Sequence, residues 1–479
     1  MLQNFQLGNT EKYKNHLWLI FSLIVFINIL FKLINLEYSS FWYDEIISVK
    51  SASEDFGHIK HVSEWDKNPP FYYYCLSVWI KLFNDSEFCV RLLSVIFSGL
   101  SAGVLYLFSN KHFNKTTAII SSLLFLSSDI LFFYSHEARA YSLVLLLSLL
   151  SSYVYFNLKN KPSIKNVLLL GLINFLIIYT HYIAGIVIVI QTIMMVFSFE
   201  TKQKKFFSFS LLILIGLTII RFTKKQILLI LAFNSSENVF WLKKSEFGFL
   251  IKMLESFFFS IYLIIPLILI TLIGVLLTFK LKPKPSYFAL SYCLFFSIGS
   301  ITIVFFLGKF TPIFLDRYLI FTIPFIFILI AYTFSFIKNK ILSISLATAF
   351  FIFSAFHINY KTVKAMDYRG VIGFLKNIKT NDDLVIVKTK DVKPLFCYYY
   401  EKDFLSLQKK DLPYNENVIF CNSWNDVERE VKNYKRIIII DSFEDLNPFE
   451  AEFVSNLSKQ KSKYAIVNYY KGARITFYK

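Results

Sequence analysis

Long apolar blocks alternate with short polar stretches along this 479-residue chain. The apolar runs lie near 17–36, 88–109, 116–134, 140–158, 165–180, 182–199, 206–221, 256–279, 286–308, 318–337 and 341–358. Many approach or exceed the roughly 18 residues a helix needs to cross a hydrocarbon core. The pattern predicts a polytopic α-helical membrane protein of about eleven spans. A shorter run at 69–83 opens with Pro69-Pro70 and leads toward the second span.

The polar stretches between blocks alternate in charge. Counting from an inside N-terminus, the even-numbered gaps carry Lys111 and Lys115; Lys159, Lys161 and Lys165; Lys202, Lys204 and Lys205; Lys280, Lys282 and Lys284; and Lys338 and Lys340. These gaps are nearly free of acid, and Lys12 and Lys14 precede the first span. Basic loops stay on the cytoplasmic side, so the N-terminus is expected inside and the C-terminus outside. The first outer loop, 37–69, is acidic, with Glu37, Asp44, Glu45, Glu54, Asp55, Glu64 and Asp66.

Composition agrees with this reading. The chain is 55% hydrophobic and only 18% charged, which excludes a soluble enzyme, a disordered chain and a disulfide scaffold. The net charge of +18 sits in the inter-span loops, so no nucleic-acid partner is implied. The first apolar run is too long for a cleavable signal and reads as a signal anchor. Cys75, Cys89 and Cys293 lie in or beside apolar segments, whereas Cys397 and Cys421 fall in the polar tail. There they could pair outside the cell, but spacing alone does not decide it.

The membrane part is expected over residues 1–359 and a separate tail over 360–479. The tail alternates helix-like Tyr368–Ile378, strand-like Leu384–Val387 and Asn417–Cys421, helix-like Trp424–Tyr434 and the buried-strand run Arg436–Ile440. A helix is expected after Asn447-Pro448, then strands at Tyr464–Tyr469 and Ile475–Tyr478. That describes a small α/β domain of roughly 110 residues on the outer face.

Candidate chemistry collects at the outer rim. In Phe41-Trp42-Tyr43-Asp44-Glu45, two carboxylates follow the first span among interface-favouring aromatics. A carboxylate there can act as general base toward a hydroxyl. Adjacent helical positions diverge by about 100°, so only one of the pair faces a given substrate. Alternatively, both begin a short surface helix and satisfy its amides. Tyr134-Ser135-His136-Glu137-Ala138-Arg139-Ala140-Tyr141 sets a cation at a helix start, suited to an anion such as phosphate. The plainer reading has Arg139 snorkelling or paired with Glu137. Thr180-His181-Tyr182 and Asp316-Arg317-Tyr318 lie on the same face, and a lone His181 can equally be a packing residue. Asp129 is an intramembrane acid with either a function or a cation partner such as Arg139, and Arg91 reads as structural. Asp367-Tyr368-Arg369-Gly370 and Tyr398-Tyr399-Tyr400 carry no defensible catalytic geometry. No glycine-rich phosphate loop, His-Glu-x-x-His or Cys-x-x-Cys occurs.

In this order and on one face, these motifs resemble a GT-C glycosyltransferase of the family 39 type. The nearest groups are the dolichyl-phosphate-mannose protein mannosyltransferases, the bacterial aminoarabinose lipid A transferase and the Rgt-type galacturonosyltransferases. The resemblance covers about residues 16–358 and rests on Asp44-Glu45, Asn68-Pro69-Pro70, Asp85-Ser86-Glu87 with Arg91-Leu92, the His136–Tyr141 cluster, Thr180-His181-Tyr182 and Arg317-Tyr318-Leu319. It implies a polyprenyl-phosphate-linked sugar as donor and a glycolipid, glycan or protein hydroxyl as acceptor, outside a bacterial-type cytoplasmic membrane. Asp44 would match the family's base, with Glu45 as its structural or orienting neighbour. Arg139 would match the basic residue at the lipid phosphate, with His136, Tyr141, His181 and Arg317 around it and Asn68, Pro69 and Pro70 as the substrate loop. Where the family usually has His before the two prolines, this chain has Asn68. No metal is carried over for that reason, and whether a divalent ion takes part stays open. Two rival readings are a lipid-linked sugar flippase or transporter and an O-antigen ligase or polymerase. A flippase predicts ionisable groups mid-membrane in several spans, whereas nearly all polar motifs here lie at the outer rim, and no internal repeat is evident.

Overall fold

The computed structural model describes residues 2–62, 68–222, 244–258, 269, 272, 276, 287–361, 367–388, 393–400, 417–421, 424–441, 455–468 and 474–479. The expected span near 256–279 lies largely outside them, as do Glu64, Asp66 and much of loop 222–255.

In chain order the helices begin with α1 (Leu2–Lys32), α2 (Tyr43–Ser53), α3 (Phe56–Val62), α4 (Phe71–Leu82) and α5 (Glu87–His112). They continue with α6 (Lys115–Leu126), α7 (Asp129–Ser135), α8 (Tyr141–Asn160), α9 (Ile164–Ile178), α10 (Ile186–Ser198) and α11 (Thr201–Arg221). After α12 (Phe247–Phe258) come α13 (Tyr287–Leu307, with a π-turn at Phe295–Gly299), α14 (Ile323–Phe334) and α15 (Lys340–His357). The tail supplies α16 (Tyr368–Ile378), α17 (Lys393–Tyr400) and α18 (Glu428–Val431). Among the described residues, six helices are long and apolar enough to cross a membrane, or seven if the bent pair α6–α7 is one span. Three more apolar helices are shorter: Ile164–Ile178, Tyr182–Ser198 and Ile320–Phe334.

The chain forms two compact units. The first comprises Met1–Ile34, Ile59–Cys75 and Arg91–Tyr360. Its helix starts are set by side-chain caps: Asn114 accepts from the Thr117 amide, Ser163 from Asn166, and Asn339 from Ile341 and Leu342. All three caps stand in lysine-bearing loops. The apolar run 116–134, expected as one span, bends by 60° between α6 and α7. At the bend the Ser127 hydroxyl turns back to the Leu123 carbonyl at 3.1 Å, the helix interior's alternative to continuing. Asp129 then accepts from the Asn359 backbone amide at 3.0 Å, so its described partner is a main-chain donor rather than Arg139.

α1 packs closely on α5 through Gly99 and Gly103. A Cβ at Gly103 would stand 2.5 Å from the Phe21 ring, and one at Gly99 2.6 Å from Ile29. Small residues four apart let helices approach in lipid, where dispersion replaces hydrophobic drive. Beside them the Lys32 amine, wholly buried, donates to Ser98 Oγ at 2.5 Å and lies 4.8 Å from the Phe125 ring centre. Deeper between α8, α9 and α10, Ser151, Asn174 and Gln191 close a triangle. Ser151 Oγ donates to Asn174 Oδ1 at 2.6 Å, Asn174 Nδ2 to Gln191 Oε1 at 3.1 Å, and Gln191 Nε2 to Ser151 Oγ at 2.7 Å.

The second unit comprises Asn35–His58, Leu76–Val90 and Lys361–Lys479. Its sheet contains β1 (Asp383–Lys388), β2 (Val418–Cys421), β3 (Arg436–Asp441), β4 (Lys463–Asn468) and β5 (Arg474–Tyr478), in the order β2-β1-β3-β5-β4. β2, β1 and β3 run parallel; β5 is antiparallel to β3 and β4 to β5. Parallel strands buried on both faces explain why 384–387 and 437–440 read as continuous apolar runs. One face packs Leu384, Ile386, Ile437 and Ile439 with Cys421, Trp424, Val427 and Leu457. In place of the helix expected over Trp424–Tyr434, a 3₁₀ turn at Trp424–Asp426 leads into the one-turn α18. Arg436 binds both carboxylate oxygens of Asp383, with Nε 2.6 Å from Oδ1. Burial raises the Asp383 pKa, but the Arg436 and Thr380 hydrogen bonds outweigh it and hold the carboxyl below its usual range. All five cysteines are free thiols, so Cys397 and Cys421 do not pair.

Candidate functional site

Two places carry the chemistry. The first is a narrow cleft in the membrane unit, lined by Asn68, Pro69, Tyr72, Tyr73, Arg139, Ala140, Tyr141 and His181. Its floor follows from local sequence. Proline fixes φ and lacks an amide donor, so Pro69-Pro70 stands where a helix can only begin. α4 starts at Phe71, whose amide donates to the Tyr179 carbonyl at 3.1 Å and ties it to the chain leaving α9. The first turn of α4 then presents Tyr72 and Tyr73. Tyr72 OH lies 3.3 Å from Ser94 Oγ, and Arg139 Nη1 reaches 3.5 Å from Tyr73 OH.

Arg139 is 8% exposed and stands two residues before α8 begins. The amides of that first helical turn and the guanidinium together favour a negative ligand. Across the cleft, the His181 ring lies 6.4 Å from Tyr141 and 4.8 Å from Tyr318, over which the Arg317 guanidinium sits at 5.5 Å. Burial, then the charges of Arg139 and Arg317, push the His181 pKa down to about 3. At neutral pH this imidazole is uncharged. Tyr134 donates to Asp316 Oδ1 at 3.0 Å, holding the turn that carries Arg317.

The structure therefore gathers five of the expected residues, Asn68, Pro69, Arg139, Tyr141 and His181, around one space. His136 does not line it. Its Nε2 lies 2.7 Å from the Lys32 carbonyl and its ring 4.3 Å from Phe132, so it caps the end of α1. Pro70 lies behind the wall and accepts the Tyr74 amide. Tyr72 and Tyr73 were not foreseen; their signal was their place directly after the two prolines. Among the described residues, no three His, Cys, Asp or Glu side chains gather as metal ligands would.

The second place is the start of α2, in the other unit, where Asp44 and Glu45 differ sharply. Trp42 is the N-cap, with extended backbone at φ −100° and ψ 173°. Glu45, fully buried, accepts the Trp42 amide at 3.4 Å in a capping box. Asp44 is partly exposed, and its carbonyl accepts the Ser48 hydroxyl at 3.0 Å. One carboxylate thus builds the helix start and the other is presented from it.

A sequence model of the dolichyl-phosphate-mannose-protein mannosyltransferase family matches residues 67–222, the stretch that supplies the whole cleft. Comparison with curated protein sequences gives no match. Among solved structures, the chain is similar to ArnT from Cupriavidus metallidurans in the apo state, with TM-score 0.62 and 11% identity over 96% of this chain and 97% of that one. The same protein bound to undecaprenyl phosphate also gives TM-score 0.62 at 11% identity, over 96% and 98% of the two chains. Archaeal oligosaccharyltransferase AglB from Archaeoglobus fulgidus, in complex with an inhibitory peptide and a dolichol-phosphate, gives TM-score 0.53 at 10% identity over 94% and 73%.

Proposed function

We propose that this chain, by its fold a GT-C superfamily protein, is a membrane glycosyltransferase that moves a sugar from a polyprenyl phosphate to an acceptor hydroxyl. The observation that carries the reading is the cleft in which Arg139 heads α8 among neutral hydroxyl and amide groups. The donor is a phosphodiester whose leaving group, a polyprenyl phosphate monoester, gains charge as the anomeric bond breaks; it needs a fixed cation and donors, and this cleft supplies both. The similar structures that hold undecaprenyl phosphate and dolichol-phosphate support that donor class.

The reaction proceeds by direct displacement. The acceptor oxygen attacks the anomeric carbon as Asp44 takes its proton, a step in which a positioned base contributes about 10²–10⁴-fold. The anomeric C–O bond breaks and its electron pair passes to the phosphate; offsetting that growing charge is the role proposed for Arg139. One displacement inverts the anomeric configuration. Asn68, Tyr141 and His181 orient the sugar phosphate, Arg317 adds to the positive field, and Glu45 holds the helix start that presents Asp44. The five basic loops support an extracytoplasmic site, with a glycolipid, glycan or protein hydroxyl as acceptor.

The test is transfer of labelled sugar from a panel of polyprenyl-phosphate donors by the full chain in membranes, wild type beside Asp44→Asn. Donor consumed by wild type and spared by an equally stable variant supports the reading. Equal rates in both would remove Asp44 as the base. Movement of donor between leaflets without transfer would favour the flippase.

A further inference from the structure

We infer that Tyr399, acting with Glu87, is a positioning residue for the candidate base: it fixes the chain that leads into α2 and thereby the aim of Asp44. The inference rests on the transferase reading for its kinetic consequence. Its geometry lies wholly within the second compact unit, which joins residues 35–58 and 76–90 to the C-terminal tail.

Four side chains hold the short segment 37–41. Arg369 Nη1 lies 2.5 Å from Glu87 Oε2, and its Nη2 donates to the carbonyls of Glu37 at 3.0 Å and Tyr38 at 3.3 Å. The Tyr399 hydroxyl donates to Glu87 Oε1 and accepts the Phe41 amide at 2.7 Å. The Phe41 ring, fully buried, meets Tyr398 edge-on at 5.1 Å, and Tyr398 OH donates to the Asp85 carbonyl at 2.8 Å. Glu87, 6% exposed, is the hinge of the arrangement, since one oxygen takes the guanidinium and the other the phenol. A hydroxyl that donates to a carboxylate is the stronger acceptor for the Phe41 N–H.

Phe41 is one residue before the Trp42 cap and three before Asp44. A shift at its amide passes directly into the first turn of α2. The tail thus reaches the start of α2 through the Tyr399 hydroxyl, with Arg369 and Tyr398 holding the residues just before it.

The experiment uses full-length protein in nanodiscs and compares Tyr399→Phe with wild type by amide hydrogen exchange and by transfer kinetics. Tyr400→Phe serves as control, because it removes the neighbouring hydroxyl that accepts from Lys379. In Tyr399→Phe, exchange over residues 37–45 should quicken by about tenfold, while the control stays at the wild-type rate. kcat should fall by roughly 10- to 100-fold with the donor KM little changed. Glu87→Ala should give the same pattern, and adding Tyr399→Phe to it should change little. Unchanged exchange at 37–45 overturns the inference whether or not any sugar is transferred. Faster exchange with undiminished kcat overturns it also, because the loop would then be held without aiming the base. If wild type transfers no sugar at all, the transferase reading fails, and exchange alone decides whether Tyr399 holds the loop.

Discussion

His181 packs on Tyr318 with the rings tilted by 56° and their centres 4.8 Å apart, where the charges of both Arg139 and Arg317 act on it. Its folded pKa of about 3, against 6.5 for a free imidazole, has a definite sign. Between those values the unfolded chain binds a proton that the folded one refuses. Stability is therefore complete above pH 6.5 and declines as pH falls toward 3, by up to about 1.4 kcal/mol per unit from this group. His181→Gln should lose less melting temperature between pH 7 and 4.5 than wild type does, measured in detergent. An equal loss in both would place the acid sensitivity elsewhere.

Arg139 offers a planar fork with several donors, and lysine cannot reproduce it. Arg139→Gln should lower transfer by about 10²–10³-fold. Arg139→Lys should recover only part of that, since it restores charge without geometry. Steady-state kinetics with a polyprenyl-phosphate donor decide the matter, and full recovery by lysine would reduce the role to simple charge.

Glu45 and Asp44 should separate cleanly. Glu45→Ala removes the acceptor that closes the capping box, so it should cost on the order of 1 kcal/mol of stability. Asp44→Asn should leave the melting temperature near wild type and abolish transfer. A variant pair with these effects exchanged would assign the base to Glu45.

Gln191 ties Ser151 to Asn174 among α8, α9 and α10. Hydrogen bonds between helices in a membrane average about 0.6 kcal/mol. Gln191→Leu breaks three of them, the third to the Tyr292 hydroxyl at 3.5 Å, and should cost about 1–2 kcal/mol, visible as a few degrees of melting temperature. Donor KM should not move, because the triangle does not line the cleft. A changed KM would mean that helix register is felt at Arg139.

Much of this molecule was legible in its sequence. Six of the eleven apolar blocks are single helices long enough to cross a membrane among the described residues, because lipid leaves the backbone few choices. Strands buried on both faces announced themselves at 384–387 and 437–440. Asn68, Arg139, Tyr141 and His181 were found as separate motifs, and the fold brought them round one cleft. The bend between α6 and α7 was missed because Ser127-Ser128 sits inside a run that reads as apolar throughout, and the backbond of the Ser127 hydroxyl to Leu123 leaves no mark on that pattern. His136 belonged to a promising cluster, yet its partner is a carbonyl 104 residues away. Tyr399 and Arg369 seemed inert because their partners, Phe41 and Glu87, lie more than 250 residues upstream, and nothing in the local pattern refers to them.

The second unit is stitched from three stretches of sequence, two made early and one made last. At ordinary synthesis speeds of about 5–20 residues per second, the roughly 270 residues between Val90 and Lys361 delay its completion by some tens of seconds. Until then the segment bearing Asp44 emerges without the tail that holds it. The aim of Asp44 is thus set only after Arg369 and Tyr399 have been made, long after the segment that bears it. A chain cut short before Arg369 should therefore insert its spans and transfer little sugar.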